Sequence, residues 1–563
     1  MQHSEPASFA RRSGARVLGA ATGLGRSIYN ASMDSTGHPL PQTRFAASAG
    51  TPYAASAAAE IYRAGGNAAD AAVAAAAAVG VTEPLMSSIG GGGFALVRPP
   101  GGGDGAQAGA ELIDYYDCMP GKGLPADAFG AGGSPTTMIL KYGAGVKSIV
   151  GAASCAVPGS LRGWETLLRR HGRLTLRETL APAVRLAREG FLLCKTSGMW
   201  LEVASEVLKL TDETRKNFYT GDRVYRMGEE MRFPELADTL QAVGEAGADL
   251  FYEGELARHL SSYILSMGGI ITEEDLATYE AVIREPLSFA YRGMAGYTNG
   301  PPSAGGPTLA QILRVVSGYD LTNLPDAEHA QVLSGAMKYA LEDRDRAYTE
   351  LDENARVAKK LTSEEYAESQ RARIFAAGSS GSAFGHPHTT HLSCVDETGL
   401  AVSITASMGY GSGIVVPGTG IPMGNTLGEP ELNPKGFHAL TPGERLISSM
   451  SPTIVSDENG DVISLGSPGA SRIPTAIAQA VVNVVDFGMP LESAVLAPRT
   501  HAEGDLFAYE AGARKPDLSL YERVLSYDEP SMYFGAVNAV RRTGEGLFEA
   551  SADPRRSGGV AFA

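Results

Sequence analysis

Between residues 386 and 412 the chain alternates apolar and polar positions twice. Leu392-Ser393-Cys394-Val395-Asp396 and Leu400-Ala401-Val402-Ser403-Ile404-Thr405 are β-prone runs, with a turn at Asp396-Glu397-Thr398-Gly399 between them. Together they predict a hairpin. Ala68 to Val79 has a different pattern, apolar on almost every side, and predicts a buried helix lying close against a sheet. The preceding Gly65-Gly66-Asn67 reads as the stop of one helix and the Asn cap of the next. Gly90 to Gly93 then permits a sharp turn into the strand Phe94-Ala95-Leu96-Val97. A phosphate loop would need a following Gly-Lys-Ser/Thr, which is missing.

Beyond a Gly-rich tip over 98–110, Leu112-Ile113-Asp114-Tyr115-Tyr116 predicts a second strand. Helices dominate from about 160 to 265, with apolar spacings of three and four over Trp164 to Arg170 and Leu176 to Glu189. A Thr cap with an acidic first turn opens 272–280, and 307–317 and 327–348 are further helices. Residues 376–388 are a breaker-rich loop leading to Thr389. After the central hairpin come a long loop over 411–446, strands near 452–456 and 462–465, helices over 472–487 and 491–497, and strands near 533–540 and 546–551. Residues 1–44 are polar and weakly periodic and read as a loosely held arm.

The bulk numbers exclude more than they select. A net charge of −16 argues against a nucleic-acid partner. The widely spaced Cys118, Cys155, Cys194 and Cys394 form no CxxC pair, which argues against a zinc site, and the chain's size argues against a disulfide framework. There is no run of 18 apolar residues, so no spanning helix is expected. Val17 to Ala21 behind Arg11-Arg12 and Arg16 is short for a signal core, and the expected location is cytoplasmic.

The candidate chemistry sits at the head of the hairpin, in Thr389-Thr390-His391. A pair of threonines is, on its own, an ordinary strand start. If the chain is cut between His388 and Thr389, however, the Thr389 hydroxyl and a new α-amine share one residue. The amine then serves as base for the hydroxyl.

With its surroundings, this stretch resembles the γ-glutamyltransferases (γ-glutamyltranspeptidases), which are N-terminal nucleophile hydrolases. The resemblance is carried by Thr389-Thr390-His391 with Ser393 and Val395-Asp396, by Leu446 to Val455, and by Gly466-Ser467-Pro468-Gly469-Ala470-Ser471-Arg472. Gly65 to Ala72, Gly90 to Phe94 and Pro301 to Gly306 complete the set in the family's order. It implies an α+β fold, the four-layer αββα sandwich. Cleavage is expected to divide one intertwined domain into a large subunit, 45–388 behind the arm, and a small subunit, 389–563. No metal and no organic cofactor are implied.

The resemblance implies roles for particular residues. Thr389 is the nucleophile, and Ser407 stands where a Thr usually orients it. Gly469 and Ala470 supply oxyanion-hole N–H groups, in place of the usual Gly-Gly. Ser448 and Ser449 match a pair that holds a substrate α-carboxylate, and Glu429 falls where an Asp usually pairs with the α-amine. The plain readings are a turn serine at 407, a helix start capped by Ser471, a polar turn at 448–449 and a solvated loop carboxylate at 429. Two positions depart from the family. Tyr116 stands where an Arg usually clamps the α-carboxylate, and a phenol cannot reproduce that bidentate grip. Gly409 replaces an Asn. Lys122 is close in sequence to Tyr116 and is the candidate to compensate for the missing Arg. The segment between Glu429 and Ser448 is short where family members often carry a lid, which favours hydrolysis over transfer. Three readings follow: a γ-glutamyl amidase or transferase acting on glutathione-like donors with water or amino-acid acceptors, the same mechanism on another acyl amide (a β-lactam side chain or a small oxo acid), and an uncut, inactive homologue.

Overall fold

The computed structural model describes residues 43–101, 109–130, 135–140, 145–347, 354–375 and 389–563. Its frame is two facing antiparallel sheets. The strands that build them are β1 (Phe45–Ala49), β2 (Gly92–Arg98), β3 (Glu111–Tyr115), β4 (Val282–Arg284), β5 (Leu287–Tyr291), β6 (Met294–Thr298), β7 (Thr390–Asp396), β8 (Ala401–Ser407), β9 (Thr453–Ser456), β10 (Val462–Gly466), β11 (Asn538–Arg542), β12 (Phe548–Ala552) and β13 (Gly559–Phe562). The seven-stranded sheet runs β4-β3-β2-β8-β7-β1-β13, and the six-stranded sheet runs β5-β6-β9-β10-β11-β12. Strands from both sides of residue 388 therefore lie in each sheet.

The predicted hairpin is β7–β8, with Leu392 opposite Ile404 and Ser393 opposite Ser403. Gly399 turns it at φ +83°. On one side β8 pairs with β2, where a Cβ at Gly93 would lie 2.5 Å from the Thr405 carbonyl oxygen. Only glycine permits that approach.

Two helices cover the outer face of the seven-stranded sheet, α1 (Pro52–Arg63) and α2 (Ala68–Thr82). Asn67 caps α2 in a capping box with Asp70, and every residue of α2 except Gly80 is buried. The small Ala side chains let it lie close to β7 and β8. The six-stranded sheet is covered by α3 (Gly305–Val316) and α4 (Arg472–Val485). The order is helix, sheet, sheet, helix: the αββα sandwich.

Several edges differ from the expectation. Strand β1 is Phe-Ala-Ala-Ser-Ala, buried on both faces, so it shows no alternation. Strands β4, β6 and β13 also lack a clean period of two, whereas β5, Leu-Ser-Phe-Ala-Tyr, alternates and was not anticipated. The strand expected from 533 begins at Asn538, because Met532–Phe534 forms a short 3-10 turn ahead of it. The 411–446 loop contains a small pairing of Val415–Val416 with Ile421–Pro422. The segment after Glu429 is tied down, with Leu446 N–H donating to the Asp117 carbonyl and Met119 N–H to that of Glu444. His388, the loop 376–388, most of the 1–44 arm and the tip over 102–108 lie outside the described residues.

Candidate functional site

Thr389 is buried one residue ahead of β7. The β7–β8 ladder pairs Thr390 with Ala406, and continuing it by one step sets Thr389 opposite Ser407. The Ser407 hydroxyl accepts from the Gly409 N–H at 3.1 Å, so it also shapes the turn that follows.

Two residues that the sequence reading missed hold the head of β7. Arg556 Nη1 donates to the Thr389 carbonyl oxygen at 2.8 Å. The Thr390 hydroxyl donates to Glu83 Oε2 at 2.5 Å. Glu83 ends α2 and is fully enclosed. Burial pushes its carboxyl up, opposed by the Thr390 hydroxyl and the Arg556 charge. A lone acid closing an all-apolar Ala run was the available signal for Glu83. Arg556, near the chain's end, gives none.

His391 is not a base here. Its Nδ1 lies 2.8 Å from the Thr405 hydroxyl and its Nε2 3.0 Å from that of Ser393. Burial drives its pKa down to about 3. Gly466, at the end of β10, lies flat against its ring, since a Cβ there would be 2.4 Å from ring atoms. The loop leaving Gly466 carries Gly469 at φ +125° and Ala470 at φ +56°. Ala470 thus takes the left-handed conformation that suits glycine, at a cost of about 1 kcal/mol. Ser471 occupies the N-cap position of α4 but makes no cap bond. Its hydroxyl donates instead to Glu503 Oε2 at 2.8 Å, and Arg472 Nη1 donates to Ser471 at 3.0 Å. The capping reading of Ser471 is corrected accordingly.

Glu429 is the second correction. It is not a solvated carboxylate: it is fully buried, and among the described residues neither carboxyl oxygen has a hydrogen-bond partner. Burial, with Glu431 and Asp117 nearby, pushes its carboxyl well above the usual range. Asp117 is also buried and is raised to about 7 by burial, against the Thr426 hydroxyl on its Oδ2 at 2.7 Å and the Arg445 charge. The glycine at 409 explains how Glu429 fits. A Cβ there would lie 2.2 Å from Glu429 Oε1 and 2.3 Å from Asn425 Oδ1. The longer Glu side chain and the missing side chain at 409 therefore share one space. Asn425, also missed in the sequence, is held by Ser148 at 2.9 Å and accepts from the Tyr410 N–H at 2.7 Å.

Tyr116 is buried and stacks on Phe94, with ring centroids 5.5 Å apart. Its hydroxyl is hydrogen-bonded to Ser448, and it senses the charges of Asp117 and Glu429. Burial, the largest influence, pushes the phenol well above its ordinary value. Ser448 is buried, whereas Ser449 is partly exposed. Lys122 does not compensate for an arginine, because its Nζ donates to Thr278 Oγ1 at 2.5 Å in an outer cleft. Ser407, Gly409 and Glu429 thus adjoin one another, and the charge of Glu429 acts on Tyr116, which is hydrogen-bonded to Ser448. The Gly469–Ala470 loop leaves the other sheet beside His391. It connects to this group through Arg472 and Glu503, whose charges act on Glu431.

The sequence pattern of the Gamma-glutamyltranspeptidase family matches residues 54–563. A glutathione hydrolase proenzyme of Escherichia coli is 31% identical over 522 residues, covering 88% of each chain. An acylase ACY 1 proenzyme of a Pseudomonas species is 32% identical over 478 residues, covering 82% of each. The crystal structure of a cephalosporin acylase from Bacillus halodurans superposes with a TM-score of 0.79 at 29% identity, over 94% of this chain and 98% of that one. The chain is an enzyme, a hydrolase or acyltransferase, and belongs to the γ-glutamyltranspeptidase family of N-terminal nucleophile hydrolases.

Proposed function

We propose that the chain cuts itself between His388 and Thr389 and then uses Thr389 to cleave γ-glutamyl amides such as glutathione, passing the acyl group to water or to an amino acid or peptide. The reading rests chiefly on Thr389, buried at the head of a central strand with its carbonyl oxygen gripped by Arg556 and with Ser407 across the ladder. In the cut, Thr389 Oγ adds to the His388 carbonyl carbon, the C–N bond breaks, and the nitrogen gains the hydroxyl proton. Water hydrolyses the resulting ester, leaving a carboxylate on 388 and an amine on Thr389. In turnover that amine takes the Oγ proton as Oγ adds to the substrate carbonyl, and returns it to the leaving amine. The N–H groups of Gly469 and Ala470 stabilise the oxyanion. The large and small subunits stay interlocked, since both contribute strands to both sheets.

Glu429 supports an amine-bearing acyl group. Two unpartnered oxygens on a buried carboxyl are costly, and a substrate ammonium would supply the missing donors. Ser448 and Ser449 would take the α-carboxylate, as the family resemblance implies. A second reading, an acylase for another acyl amide, is favoured by Tyr116, which gives an α-carboxylate no cation. The acylase relatives make that reading concrete. Intact mass of freshly made protein, beside Thr389→Ala, tests the mechanism: two fragments meeting at 388/389 are expected, and an alanine variant that still cuts itself would sink it. Rates on γ-glutamyl and glutaryl anilides then decide the acyl group; faster glutaryl hydrolysis selects the second reading.

A further inference from the structure

Glu83 and Arg556 come from opposite ends of the chain and converge on two successive residues of one strand. Arg556 lies in the turn after Asp553, with its own N–H bonded to the Asp553 carbonyl at 3.2 Å. Its guanidinium reaches the Thr389 carbonyl oxygen at 2.8 Å and Met86 Sδ at 3.6 Å. Glu83 takes the Thr390 hydroxyl at 2.5 Å. Gly50, just past β1, closes the third side: a Cβ there would lie 2.1 Å from Glu83 Oε2 and 2.7 Å from Thr390 Oγ1. No side chain fits at position 50 beside Glu83 and Thr390.

Neither residue has a part in the acyl chemistry above. Neither is the base, an oxyanion donor or a group for the substrate's amine or carboxylate. Yet a buried carboxyl and a buried guanidinium are expensive to keep, and apolar side chains of similar size would often serve stability equally well. What the pair does accomplish is geometric. Arg556 fixes the plane of the 389–390 peptide, and Glu83 fixes the strand sideways through the Thr390 hydroxyl. The remaining torsions that place the Thr389 hydroxyl are its ψ and χ1. Cleavage removes the covalent tether on the N-terminal side, so in the cut enzyme these contacts are what keep the new terminus from fraying.

Resting on the reading of Thr389 as nucleophile, we propose that Glu83 and Arg556 are positioning residues that aim its hydroxyl, first at its own peptide bond and then at the substrate amide. The test uses the full chain and Arg556→Met, Arg556→Lys and Glu83→Gln. Appearance of the 389–563 fragment is followed by intact mass after synthesis, and kcat and KM for a γ-glutamyl and a glutaryl anilide are measured on the matured protein. Arg556→Met is expected to slow maturation and lower kcat roughly a hundredfold, the scale of a nucleophile displaced by about 1 Å, with KM unchanged. Arg556→Lys, which still donates to the carbonyl, recovers most of the loss. Glu83→Gln, which keeps an acceptor for Thr390 and loses the charge beside Arg556, falls between. Wild-type maturation and kcat in folded Arg556→Met and Glu83→Gln would overturn the proposal. If the Met variant fails to fold, the isosteric Glu83→Gln decides alone by the same two rates. A wild-type chain that stays uncut removes the nucleophile reading and the positioning role with it. A wild-type chain that cuts beside unaffected variants removes only the positioning role.

Discussion

At Glu429 the local sequence and the folded surroundings point in opposite directions. Glu429-Pro430-Glu431-Leu432-Asn433-Pro434-Lys435 is a polar stretch, and nothing in it says that the first carboxyl is buried. Burial comes from Asp117, Gly409 and Asn425, which are distant in sequence or on another turn. If the carboxyl meets a substrate ammonium, Glu429→Gln should raise KM for a γ-glutamyl anilide roughly tenfold or more, the range of a charge-assisted hydrogen bond. It should leave a glutaryl anilide, which lacks the amine, unchanged; equal effects on both would count against amine recognition. Ala470 gives a second residue-scale test. Its φ of +56° is tolerable for Ala and poor for a β-branched side chain. Ala470→Gly should keep activity within about twofold, since glycine adopts this φ without strain. Ala470→Val should cost about 1–3 kcal/mol of stability and most of kcat. Urea melts and initial rates on the two variants check both halves. The resemblance could place the residues at 116, 407, 429, 448 and 469, because it is read position by position. It could not say that 409 and 429 share one space, which is a fact of packing.

Among the elements, legibility followed how much of each signal was local. Helix α2 was readable up to its last turn, which runs on from Val79 to Thr82: a Gly pair, an Asn cap and an apolar run with almost no polar face. The β7–β8 hairpin was readable from two alternating runs and a Gly turn. Strands β1, β4, β6 and β13 were not, because they are short and their burial is decided by neighbours; β5 alternates over five residues and still went unassigned. The cap of α2 also does more than its sequence suggests. Asp70 is buried and accepts from the N–H groups of Asn67, Arg173 and Leu174 at 2.8–3.0 Å. It therefore closes the capping box and pins the turn after a second helix, Ser160–His171. An exposed cap is worth about 1 kcal/mol. Asp70→Ala would leave three buried or half-buried donors unpaired, so the expected loss is about 3 kcal/mol or more. A denaturant midpoint within error of wild type would show that water replaces those bonds.

Across the whole molecule, the acids enclosed near the acyl site set a pH dependence whose sign can be worked out. Asp117 has an ordinary value of 3.8 and is raised to about 7 by burial. Between those values the folded chain holds a proton that the unfolded chain has released. Stability on this account is greatest below about pH 4, falls as pH rises through that window, and levels off above about pH 7. Burial raises Glu429, Glu431 and Glu83 in the same direction. Two groups act in the opposite sense, Glu503 between its ordinary 4.5 and about 2 and His391 between its ordinary 6.5 and about 3, the latter overlapping the Asp117 window. Glu503 is held near 2 by His501, Arg344 and Arg472 against its burial, and contributes stability that is lost as pH falls through its window. His391 is kept neutral down to about 3, so its unfolded form gains a proton first on acidification. The net profile mixes all of these, and a single-site change isolates one. Asp117→Asn keeps an acceptor for the Thr426 hydroxyl and removes the titration. Its melting temperature should fall less than that of wild type between pH 5 and pH 8, while the two should differ by a constant amount above pH 8. For a chain of this length 1 kcal/mol moves Tm by only about 1 °C, so the separation expected is a few degrees at most. Parallel profiles across the whole range would mean that Asp117 is already ionised in the folded enzyme, paired with the Arg445 charge rather than desolvated, and the acyl site would then present a standing negative charge to its substrate at neutral pH.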